Sequence, residues 1–136
     1  MKKLLLTIVF TGVGFLSLTA MAAGQVITLQ PSGCFGYQRS CYNINNLDEN
    51  GQLHDIDILS STSYASVTIY LDGVRYSSLT GMGTGDGPYN ATLTGPYGEQ
   101  LQMHDLLFSH TRRYISGRGA HWVTTWKIVS GSLVAQ

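Results

Sequence analysis

Three regimes of apolar and polar residues follow one another along this 136-residue chain. The first is a nearly unbroken apolar run from Leu4 to Leu18. Lys2 and Lys3 precede it and Ala20-Met21-Ala22-Ala23 follows it. A positive start, a run of about 15 apolar residues and an A-x-A site predict a bacterial-type secretory signal peptide over residues 1–23. The run falls short of the roughly 20 residues a spanning helix needs. No second long apolar run exists, so no membrane span is expected in the mature chain. Residues 24–136 are predicted to fold as one domain.

The second regime is alternation. Val67, Ile69 and Leu71 point one way while Thr68 and Tyr70 point the other. Asp72-Gly73 comes after them, then Val74-Arg75-Tyr76. A two-residue Asp-Gly between strand-forming runs predicts a tight hairpin pairing Leu71 with Val74, Tyr70 with Arg75 and Ile69 with Tyr76. Asn50-Gly51 predicts a second hairpin, with Ile56 and Ile58 alternating against Asp55 and Asp57. Gly95-Pro96-Tyr97-Gly98 fits a type I turn, and Gly117-Arg118-Gly119 marks another. Trp122, Thr124, Trp126 and Ile128 share one face of a last long strand. About eight short strands at such spacing predict an all-β fold, an antiparallel β-sandwich or partly open barrel. Its core is expected to hold Val67, Ile69, Leu71, Ile56, Ile58, Leu101, Trp122, Trp126 and Ile128. One segment breaks the alternation: Met103, Leu106, Leu107 and His110 fall at helical spacing, so a short helix is weighed over 103–114.

The third regime is glycine-rich. Gly81 to Pro88 places four glycines and a proline in eight residues, which by composition predicts a mobile surface loop.

Composition then narrows the chemistry. Without Lys2 and Lys3, six basic residues face eight acidic ones, a formal −2. That balance argues against nucleic acid as a stable partner. The two cysteines, Cys34 and Cys41, are expected to pair in an oxidising compartment, secreted or periplasmic, and to shape the loop between them. Six intervening residues do not make a C-x-x-C redox motif.

Candidate sites are sparse. His54, His104, His110 and His121 lack metal-ligand spacing. Asp48-Glu49-Asn50-Gly51-Gln52 with Asp55 and Asp57 gathers calcium-type oxygens but not in EF-hand order. Neither a metal nor a cofactor is expected. His110, Arg112 and Arg113 with His121 hold the residue types of a phosphodiester-cleaving site, with histidine as base and acid and arginine on the developing charge. That makes a small secreted nuclease or toxin the alternative. Tyr37, Arg39, Tyr89 and Tyr97 lie in or beside predicted turns on a rigid β scaffold, where binding contacts concentrate. The leading expectation is therefore an exported non-catalytic binding domain for a glycan, an envelope component or a protein partner. An inhibitor presenting the 34–41 loop is a third class.

Overall fold

A computed structural model describes residues 21–35, 39–60, 66–79 and 82–136. The leader expected over residues 1–23 lies almost entirely outside the described residues, as does Tyr37.

Among the described residues there are nine strands and no helix: β1 (Val26–Thr28), β2 (Ser32–Gly33), β3 (Ser40–Leu47), β4 (Leu53–Ser60), β5 (Val67–Leu71), β6 (Val74–Ser78), β7 (Tyr89–Thr94), β8 (Gln100–Ile115) and β9 (His121–Ala135). They form one antiparallel sheet in the order β1-β9-β8-β7-β6-β5-β4-β3, with β2 also on β9. β1 takes the 132–134 part of β9 and β2 takes Lys127 and Ile128, so the two short strands are pieces of one stave. Pro31, which has no N–H to give a ladder, stands between them.

The sheet curls until its ends meet, giving a nearly closed barrel. β1 touches the end of β3 by a single bridge, Ile27 to Asp48. Past β2 a second bridge joins Phe35 to Ser40 at the start of β3, and side chains add to the seam beside β1. Asn46 Oδ1 accepts the Gln30 N–H (2.6 Å), Glu49 accepts the Val26 N–H (3.2 Å), and Gln25 Nε2 donates to Asp48 Oδ2 (2.7 Å).

Local chemistry sets the turns. Asp72 and Gly73 both take positive φ, as a two-residue hairpin turn of this hand requires, and the register pairs Leu71 with Val74, Tyr70 with Arg75 and Ile69 with Tyr76. The β3–β4 turn is wrapped around Asp48, whose Oδ1 accepts the N–H groups of Asn50 and Gln52. The 95–98 turn closes with the Gly98 N–H on the Gly95 carbonyl, as a type I turn does.

Alternating inward residues fill the barrel. Ile27, Ile56, Ile58, Ile69, Leu93 and Leu133 are fully buried, with Val67, Leu101 and Ile128 beside them. Three expectations need correction. Residues 103–114 are strand, not helix. Asp105 adopts positive φ (52°) in a β-bulge between His104 and Leu107, and the extra residue puts buried Met103 and Leu106 three apart, imitating helical spacing. Trp122 is 57% exposed and Trp126 only half-buried, because the face they share with Ile128 runs out past the end of the barrel. The glycine-rich loop is anchored to Arg39, whose guanidinium donates to the carbonyls of Gly83 and Gly85.

Candidate functional site

β8 and β9 are far longer than their neighbours. β7 follows β8 only to Leu106, and β2 follows β9 only to Lys127. Beyond these points, among the described residues, the two strands pair with each other as far as Ile115 and His121. A two-stranded ribbon of about seven residues a side, roughly 20 Å long, therefore projects from one end of the barrel.

The root of the ribbon is built on Arg39. This side chain is 0% exposed, and its guanidinium carbon lies 4.7 Å from the Trp126 ring centre, 5.0 Å from Phe108 and 5.3 Å from Tyr89. Aromatic faces carry negative charge density, so three of them stabilise a cation that has left water. Nη1 donates to the Gly85 carbonyl (2.8 Å) and Nη2 to that of Gly83. The Tyr89 hydroxyl also donates to Gly85. The loop is held on its other side as well. The Phe108 N–H donates to the Asp86 carbonyl (2.8 Å), and His110 Nδ1 meets Asp86 Oδ1 at 2.6 Å. Gly87 (φ 102°) packs so closely that a Cβ there would stand 2.7 Å from the Leu106 carbonyl oxygen. The disulfide Cys34–Cys41 closes the same end, with the Cys34 N–H on the Trp126 carbonyl (3.0 Å).

Along the ribbon, cross-strand partners share a face. His110, Arg112 and Tyr114 lie opposite Trp126, Thr124 and Trp122 on one side. His110 lies tilted against Trp126 (5.1 Å), Arg112 covers Trp122 (4.8 Å), and Tyr114 meets Trp122 edge-on (5.3 Å). Thr111, Arg113 and Ile115 lie opposite Thr125, Val123 and His121 on the other side. Tyr114 (51%) and Trp122 (57%) are open to solvent at the distal end of the stack.

This register decides where the expected site residues stand. His110 and Arg112 share one face; Arg113 and His121 occupy the other, so the four do not converge on a point. His121 donates Nδ1–H to the Gly119 carbonyl of its own turn (2.6 Å). Arg39 and Tyr89 are brought together at the glycine loop, Arg39 fully buried and Tyr89 partly so. Tyr97 is 91% exposed on the turn at the opposite end of the barrel.

That opposite end holds a second polar cluster. His54, 2% exposed, sits between Asp48 (Nε2 to Oδ2, 2.9 Å) and Asp72 (Nδ1 to Oδ2, 2.6 Å). Both partners are acceptors, so the doubly protonated ring satisfies both. Burial works against the charged ring, but the hydrogen bonds and charges of Asp48 and Asp72 outweigh it and raise the His54 pKa. The same hydrogen bond from His54 lowers that of Asp48 against its own desolvation. Of the oxygens considered for calcium, Asp48 uses both of its own on the turn, Gln25 and His54, and Asp57 Oδ1 accepts the Asn43 N–H (2.7 Å). Among the described residues no three His, Cys, Asp or Glu side chains gather as a metal site, and no helix is long and apolar enough to cross a membrane.

Compared with protein-family models, curated proteins and solved structures, the chain gives no match.

At the distal end of the ribbon, the sequence alone places Arg118 in a turn and Trp122 in the core, and neither in a site. The signal that finds the cations is charge order: from residue 106 to residue 136 there is no Asp or Glu, while Arg112, Arg113, Arg118 and Lys127 all fall in that stretch.

Proposed function

We propose that this chain is an exported, non-catalytic binding domain for a glycan, an envelope component or a protein partner, and that the distal β8–β9 ribbon is its binding element. The observation that carries this reading is the Arg112–Trp122–Tyr114 stack, exposed yet already assembled on a paired ribbon. Rigid aromatic side chains offer large contact area with little rotamer freedom left to lose, which favours binding. The root supports the same reading, because disulfide, buried Arg39 and glycine loop brace the ribbon where it leaves the barrel. Export is favoured by the leader pattern and by the Cys34–Cys41 bond, since disulfides persist in oxidising compartments.

The test is co-sedimentation of the purified chain with the envelope fraction of the cell that exports it. Trp122→Ala and Arg112→Ala are each expected to weaken binding about tenfold, the cost of a central aromatic or arginine contact. Tyr97→Ala is expected to leave it unchanged. Loss of binding in Tyr97→Ala with Trp122→Ala unaffected moves the site to the opposite end and overturns the proposal.

A further inference from the structure

We infer that the ribbon's ligand is an anionic phospholipid surface, entered tip first. This rests on the ribbon being the binding element and goes further by naming what it binds.

The formal −2 of residues 24–136 hides a division. Residues 24–105 hold all eight acids with only Arg39 and Arg75, a formal −6; residues 106–136 hold four cations and no acid, a formal +4. An anionic plane attracts the ribbon and repels the barrel, which orients the molecule with its tip towards that plane.

The cations also surround the ribbon. Arg112 lies on one face, Arg113 and Lys127 on the other, and Arg118 in the turn. A protein or polysaccharide lying along one face leaves half of these cations unpaired. A headgroup layer encloses an inserted tip and meets Arg112, Arg113 and Arg118 from both faces and the turn, each cation near such a surface strengthening binding.

The apolar groups are at the matching depth. Tyr114 and Trp122 form a cross-strand pair one step from the end of the ladder, with Ile115 and Val123 beside them on the opposite face. They stand within about 10 Å of the tip by strand rise, the depth to which interfacial elements enter a bilayer. Tyrosine and tryptophan favour this headgroup level, where the ring is half apolar and its polar tip stays wet. The ribbon's outer edges have no ladder partner among the described residues, so it belongs at the hydrated interface and not across the hydrocarbon.

The experiment uses the chain purified from the exported fraction, with vesicles of 30% phosphatidylglycerol in phosphatidylcholine and of phosphatidylcholine alone. Expected are binding to the anionic vesicles only, reversal by added salt, and a blue shift of tryptophan emission that Trp122→Phe removes. The triple variant Arg112→Gln, Arg113→Gln, Arg118→Gln is expected to lower the partition coefficient roughly a hundredfold, about fivefold per cation. Its unchanged melting temperature separates lost binding from lost folding. Equal binding to both vesicles, or a triple variant that binds as well as the parent, overturns the inference. So does binding to heparin through the same arginines without binding to vesicles, although the ribbon then remains the binding element. If neither heparin nor vesicles bind and the envelope test also fails, both readings fall.

Discussion

At the scale of single residues, Arg39 bears the heaviest burden. A guanidinium taken out of water needs its charge and its donors met. Here no carboxylate does so among the described residues; two backbone carbonyls meet Nη1 and Nη2 and three aromatic faces meet the charge, while Nε is buried without a hydrogen-bond partner. Both carbonyls come from the glycine loop, and the three rings come from β7, β8 and β9. Arg39→Ala is therefore expected to leave a cavity and free the carbonyls of Gly83 and Gly85. The cost is about 2–5 kcal/mol by analogy with large-to-small core changes, with faster protease cleavage within residues 82–88. Arg39→Lys is expected to rescue only partly, because a point charge cannot span two carbonyls and stack on rings. Melting curves and limited proteolysis of the three proteins read this directly. An alanine variant that melts with the parent and keeps its loop protected removes the anchoring role. Composition alone described that loop as mobile, since nothing in a run of glycines reveals an arginine donating to it from more than forty residues away.

Among the elements, two turns at the far end of the barrel are clipped together by His54. Its raised pKa makes the clip pH-dependent. The contribution is fully present below the ordinary histidine value near 6.5 and is lost as pH rises through the raised folded value. Asp48, with a lowered pKa, contributes above its ordinary value and loses that contribution as pH falls through the folded one. The melting temperature should thus peak in the mildly acidic range and decline by a few degrees on the alkaline side. His54→Gln should flatten the alkaline limb, and an unchanged limb in that variant assigns the effect elsewhere. The hairpins themselves were legible: Asp72-Gly73 predicted its register residue for residue, because a two-residue turn leaves no freedom in pairing. Two other elements were not legible, for distinct reasons. The bulge at Asp105 inserts one residue and turns a two-residue period into a local three, which reads as helix. Trp122 and Trp126 lie on the inward face as the alternation says, but pattern alone cannot tell where along a strand the barrel ends.

For the whole molecule, the question is whether the ribbon belongs to the folding unit or is carried by it. The core lies below it: β8 and β9 contribute Leu101, Met103, Leu106, Phe108, Ile128 and Leu133, all at or beneath the ribbon's root. Past Thr111 and Thr125 the contacts are those of an isolated two-stranded ribbon, an element only marginally stable by itself. Replacing residues 112–124 by Asn-Gly joins Thr111 to Thr125, a directly opposed pair, with the turn that a two-residue hairpin favours. His110, Trp126 and the Arg39 cage are kept. This shortened protein is expected to unfold cooperatively within a few degrees of the parent, since it loses almost no buried apolar surface. It should lose envelope and vesicle binding together. It also loses Arg112, Arg113 and Arg118, so its elution from an anion exchanger should move to higher salt, in keeping with an acidic barrel freed of a basic arm. If instead it fails to fold, the ribbon is part of the cooperative core and its length has a structural cause. If it folds and still binds, the ligand meets the barrel elsewhere, and the charge division along the chain requires another explanation.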